Sequence, residues 1–293
     1  PGSVEFQHEG AIALSGVDAA VVVSECDPKR MAALQVILKS LEDRGIPHFL
    51  FLNKIDSCST PVRDIIPMLQ PASAKPLVLR QSPLWENGIA TGFVDLAPER
   101  AYVYREHAAS EVVELPESVA AREKEARFHM LEQLADYDDA LMEQLLSDMQ
   151  PPNDHVFNDL ATDLRQGLIC PVMLGSAENG HGVFRLLKAL RHEVPFVEDT
   201  AQRLGVNGAK SAAYVMKSYH TGHGGKLSLV RVLRGEIADG TTMTGSGGRS
   251  ERVAGVFSLR GEEPAKRVAA RAGDTVALGR LDATRKNILT IED

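Results

Sequence analysis

The sequence has few cysteines and no long hydrophobic run. Only three of its 293 residues are cysteine, and Cys26, Cys58 and Cys170 stand far apart, in or near stretches that predict strands. We interpret them as small buried residues of a reducing compartment rather than as disulfide partners or metal ligands. No apolar segment approaches the ~20 residues of a membrane-spanning helix, and the first residues lack a signal-peptide pattern. These absences predict a soluble, cytoplasmic protein without membrane contact.

Aromatic side chains make up only 5% of the sequence, yet 44% of the residues are hydrophobic. A chain of this length and composition is expected to form two domains with well-buried cores. Charge is distributed unevenly: residues 211–293 contain 13 Lys and Arg against 9 Asp and Glu, whereas the whole chain has a net charge of −8. A basic segment beside an acidic one is typical of a surface that faces RNA, although an ordinary solvated surface can show the same difference.

The stretch Phe49-Leu50-Phe51-Leu52 predicts a short buried strand, and it ends in the polar tetrad Asn53-Lys54-Ile55-Asp56. Ligands of parallel sheets bind where such strands end. The tetrad resembles the guanine-reading motif of the GTPase superfamily. The chemistry explains the residue types, because the Asp56 carboxylate can accept hydrogen bonds from N1–H and the N2 amine of guanine, whereas adenine would leave it unpaired. Asn53 can bond the outer edge of the base and tie neighbouring loops, and the stem of Lys54 can lie along its face. The alternative is an ordinary polar turn at a strand end.

A second strand end follows the same pattern. Ile169 to Leu174 is another short apolar run, and it is followed by Gly175-Ser176-Ala177. Gly182 then opens an amphipathic stretch that Pro195 closes, which predicts a helix. Two polar strand ends in this order favour a nucleotide-binding sheet over two unrelated turns. The Ser-Ala pair also resembles the loop of GTPases that follows this strand, and the resemblance implies that a backbone N–H of the loop reaches guanine O6.

The segments around these motifs predict an α/β domain over residues 1–194. Ala19 to Ser24 predicts a parallel strand, and a helix with Leu34, Leu38 and Leu41 on one face follows it. More than a hundred residues separate Asp56 from Gly175, so we expect an inserted α+β subdomain at about 77–165. Its predicted antiparallel strands are Leu77–Leu79, Thr91–Leu96 and Ala101–Tyr104, and helices are expected after them.

The last third of the chain changes character. Residues 195–210 contain Gly205, Asn207 and Gly208 and are predicted to be a linker. Residues 211–293 then show short strands separated by glycine-rich turns, which predicts an all-β barrel. The predicted strands cover 212–219, 227–233, 241–244, 252–259, 274–278 and 287–291.

Several of these stretches resemble elongation factor G. Gly92-Phe93-Val94-Asp95-Leu96 resembles a strand of that factor, Arg127 to Leu146 resembles the helical pair after its inserted subdomain, and the run Pro171 to Ala177 resembles its guanine loop. Leu227 to Ile237 is similar to the barrel signature of translational GTPases. The resemblance covers the whole chain but only the middle of such a factor. It implies an incomplete P-loop GTPase-type parallel sheet with an inserted subdomain, followed by a translation-factor barrel.

The resemblance also implies the function. It assigns base recognition to Asn53, Lys54 and Asp56, with Gly175, Ser176 and Ala177 completing the pocket. The intact protein would bind GTP or GDP with Mg²⁺, hydrolyse GTP, contact ribosomal RNA and proteins through the barrel and the GTPase domain, and drive ribosomal translocation. Oligomeric state is not readable from the sequence.

This segment departs from the family at its start. Pro1-Gly2-Ser3 resembles the end of an Asp-x-Pro-Gly-His motif, but Ser3 stands where histidine is expected, and the sequence contains no glycine-rich phosphate loop. We therefore expect no catalytic residue and no metal ligand in this segment, and no nucleotide bound by it alone. Alternatives for the whole are a ribosomal-protection factor, a GTPase-type release factor, or a ribosome-binding protein that does not hydrolyse nucleotide.

Overall fold

The computed structural model describes residues 3–58, 60–221, 225–245, 248–261, 263–281 and 288–291. Pro1 and Gly2, which resemble part of the Asp-x-Pro-Gly-His motif, lie outside these residues, as does Asn287 at the start of the last predicted strand. The helices are α1 Gln7–Leu14, α2 Met31–Glu42, α3 Val62–Leu69, α4 Glu117–Ala135, α5 Asp139–Leu146, α6 Asn153–Arg165, α7 Val183–Glu193 and α8 Val197–Arg203. No helix in these ranges is long and apolar enough to cross a membrane.

The first eight strands form two sheets, and the next two belong to a third sheet. They are β1 Ala20–Glu25, β2 His48–Asn53, β3 Leu77–Leu79, β4 Gln81–Glu86, β5 Ile89–Asp95, β6 Arg100–Arg105, β7 Ala108–Val113, β8 Cys170–Leu174, β9 Ser211–Thr221 and β10 Gly225–Arg234. The remaining strands are β11 Glu236–Ala238, β12 Thr242–Gly245, β13 Ser250–Arg252, β14 Val256–Arg260, β15 Glu263–Arg267, β16 Ala269–Arg271, β17 Thr275–Gly279 and β18 Ile288–Ile291.

The chain divides into two compact units, Ala19–Val194 and a second unit that combines Pro1–Asp18 with Pro195–Asp293. The first unit is built on a parallel sheet in the order β1-β2-β8-β3. Every residue of β2 except Asn53 is buried, as expected for a central strand covered on both faces. Helix α2 buries Leu34, Leu38 and Leu41 on one face, so the predicted strand–helix–strand unit is confirmed.

One strand of the predicted insertion belongs to this parallel sheet instead. Leu77–Leu79 was expected to be antiparallel, but β3 pairs with β8 in parallel, with Leu77 opposite Cys170. The prediction was wrong because a three-residue apolar run shows no alternation, so the sequence does not reveal the direction or partner of the strand. The boundaries of the insertion and of the domains remain predictions.

The inserted sheet is an antiparallel meander in the order β4-β5-β6-β7. Its first hairpin turns at Asn87-Gly88, where both residues have positive φ (51° and 80°), as a tight type I′ turn requires. Helices α4, α5 and α6 follow. They bury Met130, Leu134, Leu141, Val156 and Leu160 in one cluster that also contains Val78 of β3.

The second unit contains the predicted all-β barrel. Its main sheet has the order β13-β12-β18-β9-β10-β17-β14-β15, with antiparallel pairing throughout, and β11 pairs with β16. Buried valines from several strands contribute to its core, among them Val230 and Val232 of β10, Val256 of β14 and Val276 of β17. The prediction of an α/β GTPase-type sheet followed by an all-β barrel is therefore confirmed.

A short helix, α8, lies within the predicted linker at 195–210, and the linker itself remains a prediction. The Phe196 N–H donates to Asp199 Oδ2 at 2.8 Å and caps the helix start. Ala201, Val206 and Ala209 are buried against the barrel residues Ala212 and Leu233. Small apolar residues between glycines resemble a linker in composition, and the helix is stabilised by this packing rather than by a long amphipathic pattern.

Candidate functional site

The two polar motifs meet at one edge of the parallel sheet. Because β2 and β8 are neighbours and run in the same direction, their carboxyl ends bring residues 53–56 beside residues 175–177. Two backbone hydrogen bonds join the segments: Gly175 N–H donates to Leu52 O at 3.0 Å, and Ile55 N–H donates to Gly175 O at 3.1 Å. The predicted site residues are thus assembled by the sheet itself.

Asn53 ties the two segments together through its side chain. Its Oδ1 accepts a hydrogen bond from Ala177 N–H at 2.8 Å. Ser176 N–H is also engaged, because it donates to His181 O at 3.0 Å. A base oxygen would therefore have to share the Ala177 N–H with Asn53 or displace it, a detail that the motif alone did not predict.

Asp56 has one carboxylate oxygen held in place and the other unpaired. Its Oδ2 accepts from Asn179 Nδ2 at 3.3 Å, and the same amide donates to Ser176 Oγ at 3.3 Å. Asp56 Oδ1 is enclosed and has no hydrogen-bond partner among the described residues. An enclosed acceptor without a donor is costly by roughly 1–3 kcal/mol, which a bound N–H group would relieve.

Lys54 lies at the rim of the site. Its backbone is left-handed (φ 61°, ψ 38°), which is uncommon for a residue with a side chain. Its Nζ lies 2.6 Å from Glu25 Oε1, and this hydrogen bond lowers the pKa of Glu25. The lysine stem is thereby directed between the ends of β1 and β2.

Two glycines allow the loop after β8 to approach the sheet closely. A Cβ at Gly175 would lie 2.2 Å from His181 O and 2.4 Å from the Phe51 ring. Gly182 has φ +75°, and a Cβ there would lie 2.3 Å from Leu174 O. Gly175 therefore contributes its small size as well as its two backbone hydrogen bonds.

The inserted sheet supplies residues that the motif search did not find. The Tyr104 ring of β6 stacks on His181 with centroids 4.7 Å apart and planes 3° from parallel. The turn after β6 also contacts the loop, since His107 N–H donates to Asn179 O at 2.9 Å. Asn179, His181 and Tyr104 therefore hold the loop against Asp56.

These supporting side chains share a low-polarity environment. Burial lowers the pKa of His181, even though the Asp56 carboxylate acts in the opposite direction. Burial raises the pKa of Tyr104, with a smaller contribution from Asp56. Tyr104 Oη and His181 Nδ1 are buried without partners among the described residues. No spacing rule links positions 104, 179 and 181, so only the folded arrangement could identify them.

The site fits the base of a nucleotide better than its phosphates. Asp56 Oδ1 is the acceptor at this edge that lacks a partner among the described residues, and it suits a purine with N–H donors. Ser3, at the position of the expected histidine, is exposed and donates to Glu5 Oε1 at 3.2 Å. None of these residues is assigned to phosphate or magnesium.

Comparisons with known proteins agree with this architecture. Residues 1–196 match the family described as elongation factor Tu GTP binding domain. An elongation factor G-like protein from Synechocystis sp. is 37% identical over 285 residues, which cover 96% of this chain and 42% of the relative. A crystal structure of a protein from Thermus thermophilus superposes with a TM-score of 0.79 at 23% identity, over 100% of this chain and 43% of that one.

The last similarity, at 23% identity, supports the fold alone, and the chain spans less than half the length of either relative. The family match covers two thirds of the chain, including both polar motifs and the inserted sheet. Together with the parallel sheet and its barrel, this places the chain in the family of translation factors with an elongation factor Tu-type GTP-binding domain, where it is similar to elongation factor G-like proteins.

Proposed function

We propose that the intact protein containing this chain is an elongation factor G-like GTPase that promotes ribosomal translocation in the cytoplasm. Its guanine pocket would consist of Asn53, Lys54, Asp56, Gly175, Ser176 and Ala177. GTP or GDP would bind with Mg²⁺, whose ligands we do not assign to these residues. Support comes from the family match, the elongation factor G-like relative and the geometry at the ends of β2 and β8.

The unpaired Asp56 Oδ1 is the observation that carries the proposal. With Oδ2 fixed by Asn179, the carboxylate can accept from N1–H and the N2 amine of guanine, and the Ala177 N–H can be shared between Asn53 Oδ1 and the base oxygen. The Lys54 stem would cover one face of the base. Adenine would leave the Asp56 oxygen unpaired, so the site should discriminate strongly between the two purines.

Replacing Asp56 by Asn should move base preference from guanine towards xanthine. The amide of Asn offers a donor to the carbonyl that xanthine has in place of the N2 amine. Competition between GTP and XTP for the full-length protein should show a change in the affinity ratio of at least ~10-fold, equivalent to about 1.4 kcal/mol.

Asp64→Asn is the matched control, because Asp64 is an exposed carboxylate of the neighbouring helix α3. It should leave the GTP:XTP ratio unchanged. An unaltered ratio in the Asp56→Asn protein would remove Asp56 from base recognition and contradict the proposal.

A further inference from the structure

A cleft of about 520 Å³ lies within the first unit, and none of the residues assigned to the base lines it. Helix α3, strands β3 and β4 and helix α4 form its walls. The apolar lining residues include Val62, Ile66, Leu79, Trp85, Ala126 and Met130. This volume falls within the ~300–1,000 Å³ of sites that enclose small molecules.

The charged groups of the cleft are unevenly distributed. Arg63, Arg122 and Glu125 line it and are exposed, so two of these three charges are positive, and His129 adds an ionisable ring. Arg122 makes no ion pair with any residue that the structure describes. An unpaired guanidinium beside an apolar wall suits a ligand that combines an apolar body with an anionic group.

Trp85 gives the cleft a flat aromatic wall. It is half-buried in β4 and lines the same space as Ala126 and Met130 of α4. An aromatic ligand could stack on this indole, as aromatic pairs prefer. A ligand in the cleft would also remove the apolar side chains of its walls from water.

We propose that this cleft binds a small organic anion with a flat apolar body, held by Trp85 and the apolar walls and oriented by Arg122. The lining residues do not belong to the proposed nucleotide pocket, so binding can be tested on the 293-residue chain without GTP or ribosomes.

Trp85 is the only tryptophan of the chain, so its emission reports on the cleft alone. The fluorescent probe 1-anilinonaphthalene-8-sulfonate carries two aromatic groups and one sulfonate. Titrating it should quench Trp85 and sensitise probe emission with saturation at one probe per chain. N-phenyl-1-naphthylamine has the same rings without the sulfonate and should bind more weakly.

Two variants separate the contributions of shape and charge. Ala126→Phe fills the cleft and should weaken both probes at least ~10-fold, whereas Ala121→Phe, an exposed site of the same helix outside the cleft, should not. Arg122→Gln should weaken only the sulfonate probe, whereas Lys124→Gln, another exposed cation of α4 outside the cleft, should weaken neither. Arg122 is exposed, so this variant remains informative even if Ala126→Phe unfolds the chain.

The proposal fails if neither probe saturates at one site, or if a folded Ala126→Phe protein binds both probes as the parent does. Equal affinity for the two probes, with no effect of Arg122→Gln, would overturn the anion specificity. Weakening by Ala121→Phe as large as that by Ala126→Phe would place the probe on the helix surface instead of in the cleft.

Discussion

At the scale of single residues, Tyr104 shows how a buried polar group can lack a partner. Its ring is 8% exposed and stacks on His181, while its hydroxyl has no hydrogen bond within the described residues. Tyr104→Phe should therefore leave the free energy of unfolding unchanged or raise it by up to about 1 kcal/mol, since no hydrogen bond is lost. Tyr104→Ala should lower it by roughly 3 kcal/mol or more, because the aromatic packing is removed.

Urea denaturation of the purified chain measures both effects. A loss of stability in the Tyr104→Phe protein comparable to that of Tyr104→Ala would mean that the hydroxyl is bonded in solution, for example through a water molecule to Asp56.

The residues of the candidate site differ in how far the sequence could predict them. Asn53 and Asp56 follow a recognisable apolar strand, and parallel strands present their carboxyl ends together, so their proximity to Ser176 was predictable. Asn179 and His181 belong to no motif, and Tyr104 comes from another sheet. The engagement of the Ala177 N–H by Asn53 likewise depends on atomic geometry that spacing does not encode.

At the scale of secondary-structure elements, a buried ion pair joins the inserted sheet to α7. Asp95 ends β5 and is 1% exposed, and its Oδ2 lies 2.6 Å from Arg185 Nε and 2.5 Å from the Nη2 of the same guanidinium. Asp95→Asn keeps the shape but removes the charge, leaving Arg185 uncompensated. The free energy of unfolding should fall by roughly 3 kcal/mol.

Glu111→Gln is the matched control, since Glu111 pairs with Arg105 on the surface of the same sheet and both side chains are more than half exposed. Its effect should stay below about 1 kcal/mol. Urea denaturation measures the free energy of unfolding of both variants. An equal decrease in the Asp95→Asn and Glu111→Gln proteins would contradict the conclusion that the buried ion pair matters more than the exposed one.

Helix α6 carries carboxyl groups whose protonation should influence stability. Burial raises the pKa of Asp163 to about 6, and the carboxylates of Asp159 and Asp138 contribute to the rise. A carboxyl with a higher pKa in the folded chain binds more protons when folded, so the free energy of unfolding decreases as pH rises from about 4 to about 6.

Asp163→Asn removes the contribution of this carboxyl to the pH dependence. The variant should be more stable than the parent at pH 7.5, by on the order of 1 kcal/mol, and should show no such advantage at pH 4. Thermal or urea unfolding at both pH values tests the sign. Asp148→Asn changes an exposed aspartate between α5 and α6 and is the control: its difference in stability from the parent should not vary with pH. A gain in the stability of the Asp163→Asn protein that is the same at both pH values would rule out titration as the cause.

Prediction of the elements succeeded where a long or well-bounded pattern existed. Helix α2 has three leucines on one face, and β2 and β8 are apolar runs that end in polar residues, so all three were predictable. Strand β3 has only three residues, and nothing in them specifies β8 as partner. Helix α8 depends on packing of small residues against the barrel, which local composition does not reveal.

At the scale of the whole molecule, the basic excess of residues 211–293 bears on the proposed ribosome contact. Much of this charge is already paired: Arg231 lies 2.6 Å from Asp18, and Arg267 and Arg271 pair with Asp274 and Glu236. Arg249 is exposed in a turn and is the better candidate for a contact with RNA phosphate.

Arg249→Glu in the full-length protein should weaken ribosome binding and make its salt dependence shallower, because one neutralised phosphate releases about one counterion. Co-sedimentation with ribosomes across a salt series measures both. Arg44→Glu is the control, because it reverses the charge of an exposed arginine in the first unit. An unchanged salt slope for Arg249→Glu would remove this residue from the contact.

The pairing of β2 with β8 also sets an order of events during synthesis. Asp56 leaves the ribosome 121 residues before Ala177. At roughly 5–20 residues per second, that is an interval of about 6–24 s. Throughout this interval β2 can pair with β1 but lacks β8, and the Asn53 side chain lacks its Ala177 donor. A nascent chain cannot complete this edge of the sheet until the inserted sheet and its helices have emerged, so a base can be captured here only after Ala177 has been synthesised.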